Sequence, residues 1–472
     1  MNERADLLWY RFHPVTPFIK GWKLVVAMIA VLGFQGADNA EASRQAIELL
    51  GLGGVALVLL GIAMLGTGYA LVAWRVTRYA VDSESVYLKT GVLFRQQRSA
   101  RLDRIQAIDV VQPLLARISG LAELKIEVAG GANSAVRLSF LKEPEAQVVR
   151  NHLLARAAGV HVPSVDAAAE VPVAPEREVL SVPAPRLLAS LVRSVGVLVS
   201  ILLLLGFVVA VVLTRDLGPA LGMFPAILGV GALVWQRFAG EFGFRAATSP
   251  DGIRLRHGLL ESRSQTVPPG RVQAVRISQG PLWRGKDWWR VQMNVAGYSQ
   301  AQAQQSETVL LPVGDREEAL LALWLVLPDL GTADARALLD AALSGSGDGA
   351  GFVTSPQQAG WLDPLTWRRN GFALTDRALL VRRGRLVRSL VVVPHERTQS
   401  LALHQGPLQR RLKLVSFSLH STPGPVRAAV PHLREDVAAA LLRDQAGRAR
   451  AARASAGPER WMTPAATRSG HR

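Results

Sequence analysis

The feature that most constrains this chain is an internal repeat, which occurs without a gap at residues 91–117, 258–284 and 384–410. Each copy opens on a glycine and closes on an arginine, with an arginine and two glutamines at fixed positions between them. The shared residues are Gly91, Arg104, Gln106, Gln112 and Arg117, then Gly258, Arg271, Gln273, Gln279 and Arg284, and finally Gly384, Arg397, Gln399, Gln405 and Arg410. Because an internal repeat sets domain architecture before any other argument, the chain is predicted to contain three copies of one folding unit.

The residues around each copy predict strands and one helix. Runs such as 253–256 and 291–295 alternate between apolar and polar residues, and turn residues bound them, as in half-buried strands. The glycine that opens each copy suits a hairpin turn with positive φ. Apolar residues recur at helical spacing over 143–157, 315–325 and 431–442. Each unit is therefore expected to be a small, bent antiparallel sheet closed by a C-terminal helix.

Four apolar segments predict membrane helices, at 22–34, 47–74, 187–213 and 219–235. The hydrophobic fraction is 49% and the aromatic fraction only 6%, so the excess is aliphatic. A membrane helix needs about 20 residues, so the first segment is short, and a signal peptide is its alternative. A membrane helix is favoured there because two prolines precede it and a second apolar run follows at once.

The four segments form two hairpins, whose short connections, 38–46 and 214–218, hold one arginine each. The long segments 75–186 and 236–472 hold most of the arginines. By the positive-inside rule, the three repeat units and both termini are predicted to be cytoplasmic.

The charge and composition restrict the classes of function. Lys and Arg number 54 against 37 Asp and Glu, a net charge of +17 that favours an anionic neighbour. The basic residues are spread over repeats, linkers and tail without interleaved aromatics, so we expect no nucleic-acid binding. The chain has no cysteine, and its nine histidines form no ligand-spaced cluster. No catalytic motif is present either, and we therefore expect no enzyme activity, no metal and no cofactor.

The central part of the first copy resembles a known family. The resemblance rests on Arg104-Ile105-Gln106, Gln112-Pro113-Leu114-Leu115-Ala116-Arg117, Gly120-Leu121 and Val128-Ala129-Gly130-Gly131. The segment Arg11-Phe12-His13-Pro14, before the first predicted span, adds to it. These residues are similar to the bacterial PH-like membrane proteins, whose cytoplasmic units are called bacterial PH domains. The resemblance implies the multi-span branch with three PH-like units, a PH-like fold in each unit and a place in the bacterial inner membrane. It implies no established biochemical activity.

The expected fold class is thus membrane α-helical hairpins plus three β-rich PH-like domains. The predicted order is a lead-in (1–21), a transmembrane hairpin (22–74), PH-like domain 1 (75–158), a linker (159–186), a second hairpin (187–236), PH-like domain 2 (237–328), a helix with a Gly/Ser linker (329–366), PH-like domain 3 (367–443) and a disordered basic tail (444–472).

Two groups of residues are candidates for binding. The repeat residues are interpreted as structural, because polar groups that recur in diverged units fit hydrogen bonds to strand or turn backbone. The arginines near the hairpin are candidates for anionic lipid contacts, which contribute about 1 kcal/mol per basic residue near a membrane surface. They are Arg95, Arg98 and Arg101, then Arg254, Arg256 and Arg263, and finally Arg382, Arg383, Arg385 and Arg388. The alternative is a solvated face with positive-inside bias.

The resulting expectation is a non-catalytic interaction or assembly module at the inner leaflet. Its expected partners are membrane lipids and either a membrane protein or a second copy of the chain. The alternative is a lipid-binding or lipid-handling protein, or a subunit of a transport or envelope-protection complex. Transport is disfavoured because the spans contain little charge apart from Arg193.

Overall fold

The computed structural model of the chain describes residues 9–16, 66–82, 85–91, 95–101, 105–128, 136–157, 176–215, 218–249, 252–268, 270–296 and 308–455, together with several positions between 53 and 64. The chain divides into two compact units, Met1–Pro172 and Val173–Arg472. The predicted first span at 22–34 and the end of the predicted tail, 456–472, lie outside the described residues.

The first compact unit holds repeat unit 1, which consists of two antiparallel groups of strands and a closing helix. One group has the order β1 (Tyr10–Arg11), β2 (Arg78–Val81), β3 (Ser85–Thr90) and β4 (Gln96–Arg101). The other has the order β5 (Ile105–Pro113), β6 (Leu121–Val128) and β7 (Val136–Lys142), with helix α1 (Leu114–Ile118) after β5 and helix α2 (Glu143–Ala157) after β7. Helix α2 has the bounds that its periodicity predicts.

The predicted lead-in contributes to this unit. The rings of Tyr10 and Phe12 stack on Tyr79, with centroids 5.6 and 5.1 Å away. The indole Nε1 of Trp74 donates to the carbonyl of Phe12 at 3.0 Å. Burial, followed by the charges of Glu145 and Tyr10, raises the pKa of Tyr79 to about 12. The lead-in therefore supplies both a strand and a core residue.

In the second compact unit, three helices follow strand β8 (Arg177–Ser181). They are α3 (Ala184–Val192), α4 (Val195–Thr214) and α5 (Gly218–Glu241). Among the described residues, α4 is the one helix found to be long and apolar enough to cross a membrane, with a mean hydropathy of 3.1 and no buried residue. The predicted set of four spans in two hairpins stays a prediction.

The predicted span at 187–213 needs a correction at its start. The chain leaves the helical conformation at Arg193 and Ser194, and the Ser194 side chain caps α4 by accepting from the Val197 N–H. Residues 187–192 belong instead to α3, which packs against the sheet with Leu187 and Leu191 buried. A continuous apolar run thus contains a packed helix followed by an exposed one.

Repeat unit 2 consists of β8 and six further strands. Strands β8, β9 (Arg245–Ser249), β10 (Gly252–His257) and β11 (Glu261–Val267) pair antiparallel in that order. Strands β12 (Val272–Gln279), β13 (Trp289–Val295) and β14 (Val309–Gly314) form the next antiparallel group. Helix α6 (Arg316–Val326) closes the unit, and Asp315 and Glu318 form a capping box at its start.

Repeat unit 3 follows helix α7 (Ala335–Leu343) and has the same plan. Its first group is β15 (Val353–Thr354), β16 (Gly371–Leu374), β17 (Ala378–Arg383) and β18 (Arg388–Pro394). Its second group is β19 (Ser400–His404), β20 (Leu414–His420) and β21 (Ala428–Arg434), with helix α8 (Pro407–Arg411) between β19 and β20 and the closing helix α9 (Glu435–Ser455) at the end. Phe417, Val393 and Leu433 lie in the core between them.

Two segments, one predicted to be a Gly/Ser linker and the other a disordered tail, contain ordered parts of repeat unit 3. The Gly/Ser linker is held by hydrogen bonds, such as the one from Thr354 N–H to Asp348 Oδ1 at 2.8 Å. Helix α9 begins at Glu435, four residues later than predicted, because 431–434 complete β21. It then continues to Ser455, so 444–455 are helical where a disordered tail is predicted. Gln445, which is fully buried, donates to Thr398 Oγ1 at 2.9 Å.

The glycine that opens each repeat copy has the backbone conformation expected for a hairpin. The φ angles of Gly91, Gly258 and Gly384 are +102°, +112° and +76°. A Cβ at Gly258 would lie 1.9 Å from the Glu261 carbonyl oxygen, and one at Gly384 would lie 2.1 Å from that of Val387. Glycine is therefore required at the second and third hairpins by both φ and space.

Candidate functional site

The most distinctive site in the second compact unit is the junction between repeat units 2 and 3. Strand β12 pairs antiparallel with β18, in a register that runs from Val275 opposite Val392 to Gln279 opposite Arg388. The two units consequently share one seven-stranded sheet, β14-β13-β12-β18-β17-β16-β15. Ile277 and Leu390, which lie opposite each other, are both fully buried. The junction is therefore a part of the core, and backbone hydrogen bonds cross it.

The arginine that closes the second repeat copy also crosses this junction. Nη2 of Arg284 donates to the carbonyl oxygens of Arg385 and Leu386, the latter at 2.8 Å. These carbonyls belong to the β17–β18 hairpin that Gly384 opens. Burial and the neighbouring charges of Arg388 and Arg385 lower the pKa of Arg284. A repeat residue that the sequence presents as part of one unit thus binds the next unit.

A buried amide fixes the junction at a second place. Asn294 on β13 is 1% exposed, and its Nδ2 donates to the Val426 carbonyl at 2.8 Å. The Val426 N–H donates back to Asn294 Oδ1 at 2.9 Å. A Cβ at Gly424 would lie 2.1 Å from the same oxygen, so the loop of unit 3 approaches closely. Sequence reasoning missed Asn294, because Glu127 stands at this position in the first copy and the repeat gives no signal.

The candidate lipid-binding arginines of repeat units 2 and 3 fall into different environments. Arg254 is 4% exposed and pairs with Glu176, which Arg256 also contacts at 3.0 Å. Arg263 pairs with Glu261 at 2.7 Å. These three side chains are engaged by carboxylates of their own unit.

In repeat unit 3 the corresponding arginines differ in exposure. Arg382 is 1% exposed and donates to the carbonyls of Arg369, Ala341 and Gly347 at 3.0, 2.9 and 2.7 Å. Burial lowers its pKa, and it also lowers that of the half-buried Arg383. Arg385 is exposed and Arg388 is half-buried, on either side of the exposed Leu386 and Val387. In repeat unit 1, Arg95, Arg98 and Arg101 are exposed.

Arg369, which the sequence did not indicate, joins Arg382 at the C-terminal end of α7. Its Nη2 donates to the carbonyls of Ala342 and Leu343 at 2.8 and 2.7 Å. The last carbonyls of a helix have no partner within the helix, and cations are favoured there. Burial, followed by the charges of Arg382, Arg388 and Arg284, lowers the pKa of Arg369 to about 9. These two arginines therefore have a structural role.

A buried ion pair connects α5 to the sheet of repeat unit 2. Glu241, at the last residue of α5, is 2% exposed and lies 2.5 Å from Arg290 Nη2 and 3.4 Å from Arg237 Nε. Burial alone would raise the pKa of Glu241, but Arg290 and Arg237 outweigh it and hold the pKa below its ordinary value. On α3, the Ser190 carbonyl accepts from Trp283 Nε1 at 3.0 Å. The helices on both sides of α4 are thus fixed to unit 2.

Several of the other repeat residues make local contacts. Gln279 is 1% exposed and donates to Asp287 Oδ1 at 3.0 Å, Gln405 donates to the Leu414 carbonyl at 3.1 Å, and Gln273 donates to the Arg271 carbonyl at 3.3 Å. Arg397 lies 3.8 Å from Glu396. Gln112 is half-buried, whereas Arg117, Gln399 and Arg410 are exposed. Arg104 and the side chain of Gln106 lie outside the described residues. No group of three or more metal-ligating side chains occurs in the described part of the chain.

Comparison with known proteins agrees with this architecture. The sequence model of the family described as "Bacterial PH domain" matches residues 26–157, 187–324 and 357–449, one match for each repeat unit. The UPF0699 transmembrane protein YdbT of Bacillus subtilis (strain 168) is 23% identical in a 286-residue alignment that covers 55% of this chain. The matched region spans 58% of that protein's length. Since the family matches cover most of the sequence, the chain belongs to the bacterial PH domain family and carries three of its units.

Proposed function

We propose that this protein is a non-catalytic assembly module of the bacterial inner membrane, with its three PH-like units at the cytoplasmic face. The β12–β18 junction is the observation that carries the proposal. It makes two PH-like units into one rigid surface, and Asn294 and Arg284 strengthen the connection. A protein that presents several rigidly joined β-units to its surroundings is suited to hold other proteins in a fixed arrangement.

The strand pairing supports membrane hairpins. Strand β8 precedes α4 and β9 follows α5, yet the two strands pair in one sheet. Because an open sheet does not lie in the hydrocarbon region, this pairing supports an even number of crossings between Ser181 and Arg245. If α4 crosses, α5 is then expected to cross back. The pairing of β1 with β2 supports the same parity between Arg11 and Arg78.

Purification of the full chain from native membranes after chemical cross-linking tests the assembly role. A protein, or a second copy of the chain, recovered in stoichiometric amount supports the proposal. Asn294→Ala, which loosens the junction between units 2 and 3, should lower that recovery relative to the exposed control Leu408→Ala. Lipid retained in a defined amount, with no protein partner in either sample, would sink the proposal and favour lipid handling.

The β17–β18 hairpin supports a second proposal, contact with anionic lipid. Its tip carries Leu386 and Val387, which are 62% and 52% exposed, between Arg385 and Arg388. Apolar residues flanked by arginines suit the boundary between headgroups and acyl chains. Of the ten arginines predicted to contact anionic lipid, we therefore retain Arg385 and Arg388 in this hairpin and the exposed Arg95, Arg98 and Arg101 of unit 1.

The absence of native cysteine makes this contact measurable. A polarity-sensitive dye on Leu386→Cys, with the full chain in nanodiscs, should shift to the blue when anionic lipid replaces zwitterionic lipid. The shift should disappear after Arg385→Ser and Arg388→Ser. A dye on Leu408→Cys, which is 61% exposed, is the matched control. An identical response in both lipids would contradict the contact.

A further inference from the structure

The two strands that pair at the junction of units 2 and 3, β12 and β18, have counterparts elsewhere in the chain. Because the repeat has no gap, Val275 and Ser278 of β12 correspond to Leu401 and His404 of β19. On the other side of the junction, Val392 and Ser389 of β18 correspond to Ser99 and Gln96 of β4. Repeat unit 3 therefore ends in the same kind of strand that unit 2 uses to bind unit 3. Repeat unit 1 begins with the same kind of strand that accepts it.

Both of these strands are sheet edges. Strand β19 ends the three-stranded group β19-β20-β21, and β4 ends the group β1-β2-β3-β4 among the described strands. Gln96, Gln97, Arg98 and Ser99 on β4 are exposed, as are Ser400, Leu403 and His404 on β19. Their counterparts at the internal junction are largely buried. An exposed edge presents unpaired backbone N–H and C=O groups, which form a template for another strand.

The closing arginine of the third copy gives independent support. Its counterpart in the second copy, Arg284, donates to carbonyls in the hairpin of the following unit. Arg410 is exposed, and its guanidinium has no hydrogen-bond or ion-pair partner in the described part of the chain. By the repeat, the residues that follow Gly91 in a second copy correspond to those that accept Arg284 at the internal junction.

From these observations we infer that β19 of one copy pairs antiparallel with β4 of a second copy, and that the chains assemble head to tail. This inference deepens the proposed assembly role and rests on it. The internal register predicts Leu401 opposite Ser99, Leu403 opposite Gln97 and His404 opposite Gln96. Because the two edges are different surfaces, the contact is heterologous and leaves one free edge of each kind at the ends of an open assembly.

Cysteine cross-linking between full-length chains tests the register directly, since the native sequence has no cysteine. Two differently tagged chains are co-expressed, one with Gln96→Cys and the other with His404→Cys, and the isolated membranes are then treated with copper phenanthroline as the thiol oxidant. Paired residues in an antiparallel sheet have Cα atoms about 4.5–5.5 Å apart, within the range for a disulfide. The positive control is Ser278→Cys with Ser389→Cys in one chain, at the equivalent pair of the internal junction. The negative control pairs Gln96→Cys with the exposed Leu408→Cys.

The expected result is a mixed disulfide-linked dimer that carries both tags, several-fold more abundant than with Leu408→Cys. Arg410→Met should reduce its yield several-fold, whereas Arg411→Met, at an exposed neighbour, should not. The inference is overturned if the internal control closes its disulfide and the Gln96/His404 pair gives only the background yield. It is also overturned if His404→Cys chains cross-link equally well with each other, or if the internal control fails to close.

The outcomes separate this inference from the proposed function. Recovery of a different protein partner from native membranes, together with a failed cross-link, removes the head-to-tail contact and leaves the assembly role intact. A specific cross-link makes a second copy the partner and supports both.

Discussion

Replacing Arg382 with Met tests whether buried arginines hold repeat unit 3 together. The guanidinium donates to three backbone carbonyls and lies 4.5 Å from the ring centroid of Phe352. Met retains much of the volume but donates no hydrogen bond, so the carbonyls of Ala341 and Gly347 lose a buried donor. Hydrogen bonds to charged groups contribute about 1.5–3 kcal/mol each, and contributions that share one donor do not add. We expect the free energy of unfolding of this unit to fall by about 3–5 kcal/mol.

The measurement is pulse proteolysis of the full chain in detergent across a urea series. Arg385→Met is the matched control, because Arg385 is exposed in the same hairpin and Arg284 contacts only its carbonyl. With a urea dependence of about 1–3 kcal/mol per M, the Arg382 variant should have a midpoint lower by about 1 M or more. The control should stay within about 0.5 kcal/mol of the wild type. Equal midpoints for wild type and Arg382→Met would refute the structural role of this arginine.

Three further changes test other parts of the fold. Glu241→Gln should destabilise unit 2 by about 3 kcal/mol at pH 7. Because the folded pKa of Glu241 is lowered, its contribution is present above its unfolded pKa of about 4.3 and is lost as pH falls through the folded value. The difference between wild type and variant in urea midpoint, followed by tryptophan fluorescence, should therefore shrink below about pH 4, and a constant difference would contradict the assignment. Asn294→Ala should lower the free energy of unfolding by about 1–3 kcal/mol and expose the loop around Thr422 to protease. Unchanged cleavage of that loop would contradict the role of Asn294 in the junction. Gly384→Ala should lower the free energy of unfolding by about 1–3 kcal/mol in the same urea assay. Gly447→Ala, at a helical position with open space around it, should not destabilise the protein. A Gly384→Ala variant as stable as the wild type would refute the steric argument.

The local pattern predicted the repeat units well, because strand alternation and hairpin glycines are local properties of a sequence. The run 253–256 lies within β10, and 143–157 is a helix. Pairing between units left a weaker signal. Strand β18 contains the continuous apolar run Leu390–Val393, which fits a strand buried on both faces but does not identify the strand that lies beside it. The register that joins them depends on which edges approach, and this is a property of the assembled units.

Charged residues were the main source of misinterpretation. Arg382 reads as a solvated strand residue, but neighbouring helix carbonyls make a buried site for it. The Ala/Arg-rich end of the chain reads as disordered, yet Arg448 and Arg453 donate to the carbonyls of Thr375 and Thr398 at 3.0 and 2.9 Å. Long side chains with several donors can reach backbone groups far away in sequence, and composition alone does not register those acceptors.

The pairing of β1 with β2 has a consequence for how the protein is made. Tyr10 leaves the ribosome long before Tyr79, and the intervening residues include the predicted first hairpin. At about 5–20 residues per second, synthesis of that interval takes several seconds, during which Phe12 has no Tyr79 to stack on. If the predicted first hairpin enters the bilayer, closure of the first sheet waits until the chain has returned from it. Insertion into the membrane would then be a step in the folding of a domain that lies outside it.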